Sequence, residues 1–273
     1  MWRKLWFNDK VEGAIRQIIA SGSAYIDHDT GLIKPSKKQM SYDGNWLFSG
    51  YTTSLRDCYL WHQIMFNHFN IVPEFCHQRC YKVVVKVRNF LEAMQFYGLM
   101  YSSGCLRAEC CPIHGKVGMD ERSYTDAPFN GFVYCDGLMQ GLEKYDIIRE
   151  MIDKHMPDGS NIQVILKRSC TEFERAYGPT NSKFWAEMPQ EHLELQHRLE
   201  DIFDGVWSSS IQPDWLKNKI IYKLARWANA HGDKSWIDYF GSGDFMTMKA
   251  VTYHHLAESY SPKIEGDKEN GSS

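Results

Sequence analysis

Lys82-Val83-Val84-Val85-Lys86-Val87 is the stretch that most narrows the folds open to this chain. Consecutive β-branched valines pack well on a pleated surface and crowd the turns of a helix, so the run predicts a strand. Asn89 then predicts a helix N-cap, with Glu92 at the third position after it in the manner of a capping box. Phe90, Met94, Tyr97 and Tyr101 recur at helical spacing, and Gly104 is the expected stop. A Cys-rich loop leads to a second strand over Lys116 to Arg122. Asp126-Ala127-Pro128 marks a turn, and Gly131 to Tyr134 reads as a third strand. Asp136 and Gly137 open another helix with the stripe Leu138, Leu142, Tyr145, Ile148 and Ile152. Pro157-Asp158-Gly159 stops it, and Ile162 to Leu166 is the fourth strand.

The predicted order is therefore β-α-β-β-α-β. It resembles the split βαβ, ferredoxin-like sandwich, in which two helices cover one face of a four-stranded antiparallel sheet. The expected fold class is α+β, with that central sandwich flanked by helical segments from both termini. Expected boundaries are 1–75 for an N-terminal helical and loop segment, 76–172 for the sandwich, 173–260 for a C-terminal helical segment and 261–273 for a disordered tail.

The flanks carry weaker patterns. Val11, Ile15, Ile18 and Ile19 predict a short amphipathic helix starting near Asp9, followed by loop with one short hairpin up to about Gly50. Ser54 predicts the N-cap of a further helix with the stripe Leu60, Ile64, Met65 and Phe69. His62 and His68 lie there at a spacing that does not place two ligands on one face, and read as structural. Beyond Cys170, Leu195, Leu199, Ile202 and Phe203 mark one helix. Leu216, Ile220, Leu224 and Trp227 mark another, starting at Pro213-Asp214. Trp236, Tyr239 and Phe240 predict a short aromatic segment packed back on the body.

With 43% hydrophobic and 24% charged residues in 273, the chain supports a globular core, and its net charge of -3 gives no overall attraction to nucleic acid or membrane. The first residues lack the apolar run of a signal peptide, and no stretch approaches the roughly 20 apolar residues of a membrane span. A cytoplasmic, reducing setting is the expectation, in which clustered cysteines bind metal or do redox work more often than they form disulfides.

Seven of the eight cysteines fall between Cys76 and Cys170. In a β-α-β-β-α-β sandwich the starts of strands one and two share an edge with the ends of strands three and four. Cys76 and Cys80 precede strand one, and Cys105, Cys110 and Cys111 precede strand two, with His114 beside them. Cys135 ends strand three and Cys170 ends strand four. All seven are expected at one end of the sheet. A thiolate-rich pocket there suits zinc or an iron–sulfur cluster. Arg79, Lys82, Lys167 and Arg168 would offset its negative charge, with Lys82, Lys167 and Arg168 the expected contacts to the bound group. Structural zinc sites favour paired short knuckles, whereas only Cys76 and Cys80 are closely spaced here, and Cys111-Pro112 is similar to the Cys-Pro of ferredoxin motifs. The leading expectation is a [4Fe–4S] cluster ahead of Zn2+, held by Cys76, Cys80 and Cys170 with Cys111 or Cys105 as the fourth ligand. Cys135 reads as core. Such a site would serve redox, substrate-binding or structural purposes, with a redox partner or a small-molecule substrate.

Two other classes compete. Gly131-Phe132-Val133-Tyr134-Cys135 resembles part of the RNP1 signature of RNA-recognition motifs, which implies an RNA or single-strand binding module with structural zinc. It departs from that signature at Cys135, and strand one lacks aromatics. A face of Phe132 turned to the helices is the plainer expectation. A thiol-redox protein using Cys110-Cys111 or Cys76 and Cys80 is the other class. The carboxylates of Asp120-Glu121 and Glu172 to Glu174 read as ion-pair partners of the adjacent arginines. No phosphate loop, dinucleotide fingerprint, zincin motif or nucleophile elbow is present.

Overall fold

The computed structural model describes residues 9–22, 24–36, 44–49, 65–106, 113–180, 188–203 and 212–241. Helix α1 (Asp9–Ala20) is followed by the strands β1 (Ala24–Ile26), β2 (Ile33–Pro35) and β3 (Trp46–Phe48). Then come α2 (Glu74–Gln78), β4 (Cys80–Val87), α3 (Phe90–Leu106), β5 (Gly115–Met119), β6 (Phe129–Asp136), α4 (Gly137–His155) and β7 (Gln163–Arg168). Four helices close the described chain: α5 (Thr171–Tyr177), α6 (Gln190–Glu200), α7 (Asp214–Ala230) and α8 (Trp236–Phe240).

The main sheet is antiparallel throughout, in the order β3-β5-β6-β4-β7, so the molecule is a mixed α/β fold with five strands in its principal sheet among the described residues. β4, the valine run, is its longest-paired strand, bonded to β6 from Cys80 to Val87 and to β7 from Tyr81 to Lys86. One side of the sheet is a continuous apolar core. Val83, Val85 and Val87 of β4, Val117 and Met119 of β5, and Phe129 and Val133 of β6 meet Phe90, Phe96 and Met100 of α3 and Ile148 and Ile152 of α4. Leu216, Ile220 and Leu224 of α7 and Trp236 of α8 join the same core. Burying side chains of this size is worth roughly 1.5–3 kcal/mol each, which makes this layer the main source of stability.

Several boundaries differ from the sequence expectation. β3, an edge strand of three residues, carries no alternation long enough to read, and it is held by pairing with β5 and by the amide of Gln212. That amide donates to the Trp46 carbonyl at 3.0 Å and accepts from the Phe48 N–H at 3.1 Å. α3 runs through Gly104 to Leu106, so Cys105 belongs to a helix rather than to the loop after it. The capping box of α3 is shifted: Asn89 Oδ1 accepts from the Glu92 N–H at 2.9 Å, while the Glu92 carboxylate accepts from the Arg88 N–H at 2.8 Å. α4 also turns differently from its apolar stripe. Leu138 and Leu142 are 47% and 46% exposed, and Gly141 and Lys144 are buried in their stead.

A second, smaller core joins Ile18 of α1, Ala24 and Ile33 of the β1–β2 hairpin, Met65, and Leu199 and Ile202. The hairpin is the one expected before Gly50. A helix starting at Ser54, Cys58, His62, Cys110, Cys111 and the C-terminal tail all lie outside the described residues, whereas Met65 and Phe69 sit in and beside this second core. Among the described residues, no helix is long and apolar enough to cross a membrane.

Candidate functional site

The strand registers sort the polar and aromatic side chains onto the face of the sheet away from α3 and α4. Because side chains alternate along a strand, Lys82, Val84 and Lys86 of β4 point opposite to Val83, Val85 and Val87. Lys82 stands opposite Tyr134 on β6 and opposite Lys167 on β7, and Lys116 of β5 stands opposite Phe132. β3 adds Trp46 and Phe48, paired with Gly118 and Lys116. Phe132 is therefore turned away from the helices, contrary to the plainer sequence expectation.

Rings and ammonium groups interleave on this face. The Trp46 and Phe132 rings lie 5.4 Å apart. Lys116 Nζ sits 4.1 Å from the Trp46 centroid and 5.4 Å from that of Phe132, and Lys82 Nζ lies 5.3 Å from the Phe132 centroid. Each such contact is worth roughly 0.5–2 kcal/mol, more as water is excluded. Burial first, and then the charge of Lys82, push the Lys116 ammonium down to about 8. Lys167 is lowered for the same two reasons in the same order. Lys82 and Phe132 keep only 7% of their surface exposed, while Trp46, Lys116, Tyr134 and Lys167 are half-buried around them.

A second layer of charges borders the lysines. Arg122 Nε donates to Asp120 Oδ1 at 2.6 Å, and the same guanidinium pairs with Glu172 from α5. Tyr124 donates its hydroxyl to Glu172 at 2.8 Å, with Arg122 and Arg175 over its ring. Lys167 pairs with Glu174. The expected pairing of these carboxylates with nearby arginines is met for Asp120 and Glu172 through Arg122, although the Asp120 side chain is 2% exposed and so no surface group. Asn45, Trp46, Lys116, Met119, Asp120, Glu121 and Arg122 line a cleft of about 400 Å³ at this edge.

The predicted ligand residues divide. Cys76 on α2, Cys80 at the start of β4 and Cys170 at the N-cap of α5 gather in one small cluster with Val72 and Phe173, flanked by Phe66, Phe75 and Tyr177. Cys76 and Cys80 are buried. The side chain of Cys105 and the whole of Cys111 lie outside the described residues. Among the described residues, no three His, Cys, Asp or Glu side chains are grouped so as to hold a metal ion. Cys135 lies in the main core, where burial pushes its thiol up to about 11. Lys82 and Lys167 stand opposite each other on β4 and β7. Arg168 alternates to the other side of β7, and its guanidinium donates to the His77 carbonyl, stitching α2 to the sheet.

Sequence reasoning passed over Lys116 and Trp46. The first was legible from alternation, since Val117 and Met119 claim the core side of β5. The second depends on an edge strand too short to announce itself. No protein-family model matches the chain, and no curated protein or solved structure matches it either.

Proposed function

We propose that this protein binds single-stranded nucleic acid across the face of the sheet that carries Lys82, Lys116, Lys167, Trp46, Phe132 and Tyr134. The sandwich from β4 to β7 is read as ferredoxin-like, and the strand order β5-β6-β4-β7, with α3 and α4 on one side, supports that reading. RNA-recognition motifs use the same arrangement, stacking bases on strand aromatics and meeting phosphates with basic side chains. The carrying observation is the register that sets Lys82 and Lys116 beside the Trp46–Phe132 pair, with Lys167 opposite Lys82 on the next strand. A chain of net charge -3 needs such a local concentration to hold a polyanion, because its overall field does not attract one.

Fluorescence anisotropy with short labelled single strands of DNA and RNA tests this. Binding that weakens steeply with salt is expected, reduced by Lys82→Met and by Trp46→Ala in protein whose circular dichroism is unchanged. Absence of binding at low ionic strength sinks the reading.

The gathering of Cys76, Cys80 and Cys170 favours a second reading, a Cys-ligated metal centre at the adjoining end of the sheet. A [4Fe–4S] cluster is preferred to zinc, with the fourth thiolate from Cys105 or Cys111 on the approach to β5. Bound there, it would transfer electrons, bind a substrate or staple the fold. Iron, sulfide and zinc analysis of anaerobically purified protein is the test. Stoichiometric iron and sulfide support the cluster, zinc alone supports a structural site, and neither metal removes this reading.

A further inference from the structure

Lys116 combines three features that do not depend on a bound strand. It lines the cleft of about 400 Å³, its ammonium lies over the Trp46 ring and beside the neighbouring Phe132 ring, and a second ammonium, that of Lys82, lies over the same Phe132 ring. Exclusion of water and a neighbouring cation favour the neutral amine, against the attraction of the ring faces for the ammonium, and these are the two conditions that convert a lysine into a nucleophile. A cleft of this volume is of small-molecule size.

We propose that Lys116 is a reactive amine that forms a Schiff base with a small aldehyde or ketone entering the cleft. This goes beyond the nucleic-acid reading and stands without it. The neutral Nζ lone pair adds to the carbonyl carbon as the C=O π pair moves to oxygen. Both N–H protons then leave with that oxygen as water, and a C=N bond joins substrate to lysine, with no oxidant or reductant required.

The charged groups that bear on Lys116 set its titration. Burial lowers it most, Lys82 lowers it next, Cys170 and Asp120 raise it, and Arg122 lowers it, which leaves it at about 8. At neutral pH about a tenth of such amines are unprotonated, against less than about one in a thousand for an ordinary lysine.

Pyridoxal 5′-phosphate is the probe, with borohydride supplying hydride to reduce the imine to a stable secondary amine, and peptide mass spectrometry reading the position. With limiting reagent at about pH 7.5, Lys116 is expected to label at least ~10-fold faster than the exposed Lys154 and Lys219. Its rate should rise through a midpoint near 8, and Lys82→Met should move that midpoint up and slow labelling at neutral pH. Pyruvate should compete. Labelling of Lys116 no faster than Lys154 and Lys219, or a midpoint in the ordinary lysine range, overturns the proposal; the wild-type profile decides this even if Lys82→Met fails to fold. No oligonucleotide is present, so this result and the binding result fail independently.

Discussion

The carboxylate of Asp233 accepts a hydrogen bond from the backbone N–H of Phe90 at 2.8 Å, across 143 positions of sequence. Ser235 Oγ accepts from the next N–H, that of Leu91, at 3.0 Å. The first turn of α3 is thus capped partly by its own Asn89 and partly by the segment joining α7 to α8. Asp233→Ala leaves a partly buried N–H without its acceptor and should cost ~1 kcal/mol, in the range of other lost caps. Asp233→Asn should retain much of it. Urea unfolding midpoints provide the measurement, and an unchanged midpoint for the alanine variant would count against the cap.

Gly118 sits where the edge strand comes closest. A Cβ there would lie 1.9 Å from the backbone oxygen of Asn45, a contact that backbone cannot absorb without moving. Gly118→Ala should therefore prise β3 from β5 and carry Trp46 away from Lys116. The expected loss is roughly 1–3 kcal/mol. Hydrogen exchange should quicken in β3 and leave the β4–β6 ladder protected. Equal protection of β3 in both proteins would show that the strand accommodates the methyl group.

Acid sensitivity should trace in part to Glu172. Burial works against its ionised form, but its own backbone N–H, the charge of Arg122 and the Tyr124 hydroxyl outweigh burial and hold it at about 2. A folded value below the unfolded one stabilises the fold above the ordinary glutamate range, and that contribution is lost as pH falls from about 4.5 towards 2. Glu172→Gln should be less stable at neutral pH and show a flatter loss of stability over that window. Parallel acid profiles for the two proteins would refute the assignment.

Electrostatic recognition of a single strand predicts a defined salt dependence. Removing one phosphate-contacting lysine should lower the slope of log K against log salt by about 0.7. Lys82→Met and Lys167→Met should each do so, whereas Lys154→Met on the exposed end of α4 should not. Equal slopes in all four proteins would place the contacts elsewhere.

Much of the architecture was legible because it is written in local periodicity. The valine run, two helical spacings and the breakers between them determined the succession of β4, α3, β5, β6, α4 and β7. Helix rotation was less legible. In α4 the sheet is approached so closely that Gly141, whose Cβ would lie 2.9 Å from Leu166, takes the buried position, and Leu138 and Leu142 are left outside. In α3, Phe96 packs over the missing side chain of Gly131, while Tyr101 of the predicted stripe is 52% exposed. Side-chain volume at the helix–sheet interface decides such rotations, and period alone does not report it.

The cysteines and the lysines divide along the same line. That Cys76, Cys80 and Cys170 meet followed from element order alone, since antiparallel strands bring those ends together. The company of Lys116 did not. Lys82, Lys116 and Lys167 come from three strands, Trp46 from a fourth and Phe132 from a fifth, and no spacing along the chain relates them. Sequence by itself determined which elements form and which ends they share. Only the pairing register, set by one shared apolar core, decided which charges and rings face one another across the sheet.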